Sequence, residues 1–145
     1  MAVADRYGAD MIADNLLEFG EEIETRPMFA IAPRGGAKRL ELHEYFERSR
    51  LFGREDSPGY LKPMIRRSAL EQAALRYNPA LRIGEDDELI IRALQANLKY
   101  VVCDYAGYRY RRHAGSISHR LSLADLDRMI VAEHNIVRQL HPTVA

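Results

Sequence analysis

The hydrophobic and polar positions of this 145-residue chain repeat with two different periods. Apolar residues spaced three or four apart predict helices, and alternating or continuous apolar runs predict strands. The predicted helices cover residues 2–7, 40–49, a segment starting at 68, 85–95 and 122–140. The predicted strands cover residues 9–19, 28–32, 60–66 and 99–111. Because helices and strands alternate, we expect an α/β fold in which helices pack on a small mixed sheet and a long helix ends the chain.

Turn and breaker residues refine the predicted bounds and positions of the strands. A polar break at Asp14-Asn15 interrupts the first strand, and Gly107 interrupts the last one. The strand at 28–32 lies inside a predicted surface loop, 20–39. Pro63 lacks a backbone N–H donor, so we expect its strand at a sheet edge.

Capping boxes refine two of the helices. Ser68 with Glu71, and Ser122 with Asp125, each predict a helix start. The apolar face predicted for the final helix consists of Leu126, Met129, Ile130, Ile136, Val137 and Leu140.

Size and charge narrow the class of protein. A chain of this length fits one domain, 1–145, with a core that needs neither disulfides nor a metal. The 21 Lys and Arg residues balance 21 Asp and Glu residues, which argues against the strong positive field of a dedicated nucleic-acid binder. Cys103 is the only cysteine, and no apolar run reaches membrane-spanning length. We therefore expect a cytoplasmic protein.

Metal-binding patterns are weak in this sequence. Its five histidines lack the spacing of metal ligands. Asp125 and Asp127 resemble an Asp-x-Asp metal pair, but the predicted capping box already accounts for Asp125. We therefore expect no metal ligands among these residues.

An acidic run, Glu85–Glu88, follows a glycine and opens a predicted helix in the segment RIGEDDEL. Acids in a first helical turn complement the helix dipole by about 0.3–1 kcal/mol each, so a purely structural explanation exists. The same position keeps a carboxylate ionised, as a general base that removes a hydroxyl proton must be. Neighbouring helical side chains point in different directions, so we expect one or two of these acids to face a cleft and the others to face water.

A tyrosine- and arginine-rich stretch, YRYRRHAGSIS, occupies 108–118. In a strand, one face would hold Tyr108, Tyr110 and Arg112, and the other Arg109, Arg111 and His113. Guanidinium groups followed by a glycine and two serine hydroxyls form a suitable cradle for a phosphate or diphosphate. Two other interpretations stay open: packed tyrosines with solvated arginines, or a strand that binds single-stranded nucleic acid.

Four segments carry a family resemblance when they are taken together. They are ADMIADNLLEF, GYLKPMIRRSAL, LRYNPALRIGEDDEL and KYVVCDYAGYRYRRHAGSISHRLS. A Glu-Asp pair precedes a Tyr-x-Tyr-Arg strand and a Ser-Ile-Ser loop by about two dozen residues. In this order the chain resembles the C-terminal half of a bacterial family 2 glycosyltransferase with the GT-A fold, of the type that builds exopolysaccharides.

The resemblance implies an inverting transfer of a sugar from a nucleotide-sugar donor to an acceptor hydroxyl. The general base of the family's Glu-Asp motif falls on Asp86, and Glu85 would orient the acceptor or support that base. The residues implied to bind the donor diphosphate are Arg111, Arg112, His113, Ser116 and Ser118. Lys62 is implied to line the acceptor side.

The family's N-terminal half, with its nucleotide pocket and its metal-binding Asp-x-Asp pair, has no counterpart in these residues. We therefore expect the chain to be the acceptor-side portion of a catalytic domain that is inactive alone and whose intact enzyme uses Mg²⁺ or Mn²⁺. The expected partners are a nucleotide sugar and a sugar or lipid-linked acceptor, and no nucleic acid. Missing strands would leave a sheet edge open to self-association, and the final helix is a candidate for contact with the inner membrane face.

A non-catalytic interaction module is the alternative. Its acids would complement the helix dipole, and its tyrosine- and arginine-rich strand would bind phosphate or nucleic acid.

Overall fold

The computed structural model describes residues 2–20, 24–29, 36–49, 57–113 and 121–140. The helices of these residues are α1 (Ala2–Tyr7), α2 (Leu42–Arg48), α3 (Arg67–Gln72), α4 (Glu85–Gln95) and α5 (Leu123–Leu140). The strands are β1 (Met11–Ala13), β2 (Leu16–Phe19), β3 (Arg26–Pro27), β4 (Ala37–Leu40), β5 (Met64–Ile65), β6 (Tyr100–Cys103) and β7 (Tyr108–Arg111). The predicted α/β class and the long C-terminal helix are confirmed.

The strands form two small mixed sheets where the sequence predicted one. The larger sheet has the order β4-β6-β1-β5, and β1 runs parallel to β6 and antiparallel to β5. The smaller sheet has the order β3-β2-β7, with β2 and β7 parallel. Because β5 is the last strand of its sheet, the edge position predicted from Pro63 is confirmed.

The predicted break in the first strand separates the two sheets. The Asn15 side chain is buried and accepts hydrogen bonds from the backbone N–H groups of Leu16 (2.8 Å) and Phe29 (3.1 Å). Its amide also donates to the carbonyl of Phe29, at 2.7 Å. The Asn15 side chain thus bonds backbone groups that would otherwise pair with a neighbouring strand. At this point the chain leaves the larger sheet, after Ala13, and enters the smaller sheet, at Leu16.

The last predicted strand divides in the same way. Residues 104–107 separate β6 in the larger sheet from β7 in the smaller one. A Cβ atom on Gly107 would overlap Oδ2 of Asp14 and the ring of Tyr105. A larger residue at this position, where the sequence predicted a break, would therefore displace those side chains.

Helix α4 has the predicted bounds and the predicted buried face. Its side chains pack into the main core with residues of β1, β6 and α2, and the buried ones are Leu89, Ile90, Ile91, Ala93 and Leu94. The helical period of the apolar positions predicts a buried stripe of Leu89, Ile90, Ala93 and Leu94, which is confirmed, and Ile91 is buried as well.

The predicted face of α5 is partly wrong. The side chains that α5 buries are Asp125, Ala132 and Ile136, with Met129 half-buried. Leu126, Ile130 and Val137 were predicted on the same face, yet they are 41%, 42% and 51% exposed. Apolar residues cover more than half of the circumference of this helix, so periodicity alone did not select the narrower strip that packs on α4.

One of the two predicted capping boxes forms. Ser122 and Asp125 bond each other's backbone N–H groups, at 3.2 and 3.1 Å, just before α5 begins. The other prediction was wrong, since α3 begins at Arg67 with no side-chain cap. Glu71 instead pairs with Arg67, one helical turn away, at 2.8 Å.

The strand predicted at 28–32 was also misplaced. Met28 and Phe29 are buried but lie outside any strand, directly after β3, and residues 30–32 lie outside the described residues. Strand β4 was missed because three of its four residues are partly or fully exposed and two of them are charged, which hides the strand period.

Candidate functional site

The candidate site begins where α4 begins. Gly84 caps this helix with a φ of +80°, a left-handed conformation that favours glycine. A Cβ atom on Gly84 would lie 3.2 Å from Cε of Met129, so the glycine also permits α5 to pack closely. All four acids, Glu85–Glu88, follow in the first turn, where they complement the helix dipole.

Asp86 faces outward into a small polar corner. Its Oδ2 accepts a hydrogen bond from Nζ of Lys62 at 2.9 Å, and its Oδ1 accepts one from the Tyr77 hydroxyl at 3.1 Å. We name these three residues the Asp86 corner. The side chain of Asp86 is 34% exposed, so two donors hold the carboxylate while solvent and a ligand still reach it.

A hollow of about 100 Å³ lies against the Asp86 corner. Its walls are formed by Lys62, Pro63, Ile65, Tyr77, Asp86, Leu89 and Ile90. The structure therefore brings the predicted residues Asp86 and Lys62 together beside a cavity.

Tyr77 is a member of this corner that the sequence analysis did not single out. Partial burial, and then the neighbouring Asp86 carboxylate, raise the pKa of the Tyr77 phenol above its usual range. The phenol therefore stays protonated at neutral pH and keeps donating to Asp86. Its position nine residues before the acid is visible in the sequence, but no spacing rule links the two.

The next acid, Asp87, faces α2 instead. It accepts a hydrogen bond from the hydroxyl of Tyr45, a fully buried residue of α2, at 2.5 Å. Burial raises the pKa of Asp87, although the Tyr45 hydrogen bond acts against that shift. A Cβ atom on Gly59 would lie 2.7 Å from Oδ1 of Asp87, so a larger residue there would displace the Asp87 carboxylate.

The remaining acids have other surroundings. Glu88 forms a two-point ion pair with Arg92 one turn later, with both N···O distances at 2.7 Å. Glu85 is half-exposed at the first position of α4. The four side chains point in different directions, as helix geometry predicts, but the expectation that the acids outside the cleft face water was wrong for Asp87, which is bonded to the buried Tyr45.

The tyrosine- and arginine-rich strand is β7, at the edge of the smaller sheet. Arg112, just past its end, donates from Nε to Oε2 of Glu18 at 2.7 Å, and Arg26 of β3 donates to Oε1 at the same distance. Glu18 is only 1% exposed, whereas both arginines reach solvent. A buried carboxylate therefore holds Arg112 in place.

The other predicted residues near β7 are exposed. Arg111 and His113 are open to solvent, and Ser116 and Ser118 lie outside the described residues. Arg109 lies over the ring of Phe19, with its guanidinium carbon 5.0 Å from the ring centre. Of the face predicted to hold Tyr108, Tyr110 and Arg112, only Tyr110 is half-buried, and the other two residues are exposed.

A ring contact connects the two regions. Tyr110 of β7 packs edge-on against Tyr60, with ring centres 6.0 Å apart, and Tyr60 precedes Lys62 by two residues. Within the described ranges, no hydrogen bond or ion pair joins Asp86 to residues 111–113. A cleft shared by Asp86 and the loop after β7 stays a prediction.

Asp125 has a structural role, because its carboxylate is bonded to neighbouring side chains. Hydrogen bonds from Arg82, and then from Ser122, hold the pKa of this buried carboxyl well below its usual range. Across the described ranges, no group of three or more His, Cys, Asp or Glu residues is arranged to hold a metal ion. No helix in these ranges has the length and apolar character needed to cross a membrane.

Comparison with known proteins gives two matches from Rhizobium meliloti (strain 1021). The chain is 38% identical to "Succinoglycan biosynthesis protein ExoO" over 136 residues. It is similar to a succinoglycan biosynthesis protein. It is also 39% identical to "Succinoglycan biosynthesis protein ExoU" over 79 residues.

The two matches cover different shares of each protein. The first covers 94% of this chain and 39% of ExoO, and the second covers 54% of this chain and 23% of ExoU. The chain thus spans well under half the length of either relative. No protein-family model matches it.

Proposed function

We propose that this chain is the acceptor-side part of an inverting glycosyltransferase that acts in bacterial polysaccharide synthesis. The names of the two relatives support the biosynthetic role. The observation that carries the chemical part of the proposal is the Asp86 corner, a partly exposed carboxylate held by two donors beside a hollow.

Asp86 would act as the general base. A carboxylate at the start of α4 is stabilised by the helix dipole and by the Lys62 ammonium group, and its unused lone pairs can accept a proton. Asp86 removes the proton of the acceptor hydroxyl while the hydroxyl oxygen attacks the anomeric carbon. The bond from that carbon to the nucleoside diphosphate breaks on the opposite side, which gives inversion.

Glu85 and Lys62 would position the acceptor beside that base. Lys62 lines the same hollow as Asp86 and can donate to acceptor hydroxyls as well as to the carboxylate. Glu85, half-exposed in the same turn of α4, would orient the acceptor or support the base.

Cationic residues after β7 would stabilise the departing diphosphate. Arg112 spends its Nε donor on Glu18, which leaves guanidinium Nη donors for phosphate oxygens. Arg111 and His113 are exposed beside it, and we extend the same role to Ser116 and Ser118.

A divalent metal is expected of the intact enzyme from the family resemblance. The described residues do not fit such an ion, since they hold no cluster of ligands and Asp125 is bonded to Arg82 and Ser122. No step of the transfer is therefore assigned to a metal. We expect the reaction in the cytoplasm, with a nucleotide sugar and a sugar or lipid-linked acceptor as partners.

The test is an Asp86→Asn variant of the full-length protein. UDP- and GDP-sugars are supplied with Mn²⁺, and sugar transfer and donor binding are measured separately. We expect transfer to fall by about 10²- to 10⁴-fold, the usual contribution of a general base, with donor binding nearly unchanged. Asp127→Asn, the same change at an exposed position of α5, should leave both unaffected.

Wild-type turnover in the Asp86→Asn variant would refute the assignment of the base. If the unmodified protein neither binds these donors nor transfers sugar, the non-catalytic interaction module becomes the better description. Steeply salt-dependent binding to single-stranded oligonucleotides would favour the nucleic-acid form of that module.

A further inference from the structure

A second and larger hollow lies next to the Asp86 corner. Its volume is about 250 Å³, and its apolar floor is formed by Leu70, Leu75 and Leu89. Tyr77 and Leu89 line both this hollow and the smaller one that contains Asp86. The two cavities therefore adjoin each other, with the tyrosine ring between them.

The larger hollow combines apolar and charged surfaces. Arg67, Glu71 and Arg76 complete its lining around the leucines. Tyr77 contributes an aromatic wall and is 56% exposed. A pyranose ring has the complementary surface, since its C–H face is apolar and its hydroxyl groups both donate and accept hydrogen bonds. An apolar floor with a few convergent polar groups is the usual composition of a small-molecule site.

The walls of this hollow are held before any ligand arrives. Arg92 of α4 donates to the backbone carbonyl of Arg76 at 2.6 Å and also pairs with Glu88. The Tyr77 hydroxyl is fixed on Asp86. The segment 75–77 is thus tied to α4 at two points, which limits the conformational entropy that a ligand must remove.

We infer that the larger hollow binds one sugar unit of the acceptor, the unit next to the one that carries the attacked hydroxyl. The inference rests on the proposed function, in which the attacked sugar occupies the smaller hollow beside Asp86. An acceptor that places one ring on each side of Tyr77 contains at least two sugar units. The protein accordingly selects an oligosaccharide acceptor over a monosaccharide.

Acceptor binding as a function of length tests the inference. Succinoglycan is partly hydrolysed and separated into fractions of one, two and three sugar units, and each fraction is titrated calorimetrically into the full-length protein. The affinity should rise by at least about tenfold from one unit to two, which corresponds to one well-formed set of contacts. The gain from two units to three should be small, since the hollow has room for a single ring.

Two exposed, adjacent positions of α3 provide matched variants. Glu71→Trp places a large ring over the hollow and should abolish the gain from the second unit, whereas Gln72→Trp, which does not line the hollow, should retain it. Glu71→Gln controls for the loss of the exposed Arg67–Glu71 ion pair, and it should keep most of the gain.

The outcomes separate this site from the proposed reaction. A gain that Glu71→Trp removes and Gln72→Trp keeps supports the sugar site, even in a protein that transfers no sugar. Equal affinity for one and two units in the unmodified protein, or a gain that survives in Glu71→Trp, overturns the site, even in an active enzyme.

Discussion

Asp86 and Asp87 are adjacent in sequence, yet they belong to two different regions of the molecule. Asp86 lies in a surface corner with Lys62 and with Tyr77, which is 56% exposed. Asp87 is half-buried and faces Tyr45, which is fully buried. Each acid accepts a hydrogen bond from a tyrosine hydroxyl. The helix turns by about 100° between them, and this rotation gives each acid a different tyrosine partner.

The difference shows that hydrogen bonding does not separate a reactive acid from a structural one in this protein. Their surroundings separate them, since both acids are half-buried. Asp87 has little access to a ligand because Gly59 and Tyr45 surround it, whereas Asp86 keeps an open side next to two hollows. A catalytic role therefore fits the outer acid, and a role in joining α2 to α4 fits the inner one.

The largest effect on stability that we predict from this comparison follows Tyr45→Phe. The substitution leaves the half-buried Asp87 carboxyl without its donor, and a polar group left unsatisfied inside a protein costs about 1–3 kcal/mol. The free energy of unfolding, measured by urea denaturation at neutral pH, should fall by that amount. If Tyr45→Phe is as stable as the unmodified protein, the inner acid does not connect α2 to α4 as described.

A smaller effect concerns pH. Burial raises the pKa of Asp87 above its ordinary value of 3.8, so folding favours the protonated acid. Its contribution to stability is complete below that ordinary value and is lost as the pH rises through the raised pKa. The amide side chain in Asp87→Asn does not titrate in this range. The free energy of unfolding of this variant, relative to that of the wild type, should therefore increase as the pH rises from about 4 to 7.

Asp127→Asn, the same change at an exposed position of α5, is the matched control for this pH profile. Urea denaturation of both variants across the same pH range makes the comparison. Parallel curves for wild type and Asp87→Asn would contradict the raised pKa of the inner acid.

The smallest effect is expected for Tyr77→Phe. The lost hydrogen bond joins two groups that water can reach, so the free energy of unfolding should change by less than about 1 kcal/mol. Transfer activity should fall several-fold, because Asp86 loses one of the two donors that fix its orientation. A change in stability as large as that of Tyr45→Phe would mean that the surroundings of Asp86 and Asp87 do not differ as the structure indicates.

The periodicity of hydrophobic residues and the positions of turn and breaker residues predicted much of the fold. Helix α4 was predicted to the residue because its apolar positions and its acidic first turn agree. The break at Asn15 was predicted because polar residues interrupt an apolar run. Strand β4 was missed because its partner, β6, lies about sixty residues away, and the backbone pairing that makes β4 a strand leaves no pattern in its own sequence.

The candidate site was predictable only in part. The family resemblance singled out Asp86 and Lys62, and the structure places Nζ of Lys62 2.9 Å from Oδ2 of Asp86. Tyr45 was not foreseeable, since it lies 42 residues before Asp87 and reaches it only after α2 packs on α4. The capping box predicted at Ser68 does not form. Glu71 pairs with the guanidinium group of Arg67 on the same helix instead, and the motif alone does not show this competing partner.

The two sheets share their strands in a way that couples distant parts of the chain. The segments 11–19 and 100–111 run side by side, each supplying one parallel strand to each sheet, and the N–H of Asn15 bonds the carbonyl of Tyr105 between them. Removing one residue from 104–107 would shift β7 by about 3.3 Å along β2 and exchange its two faces. Arg112 would then no longer lie next to Glu18. The length of this four-residue linker therefore determines the positions of the arginines relative to the smaller sheet.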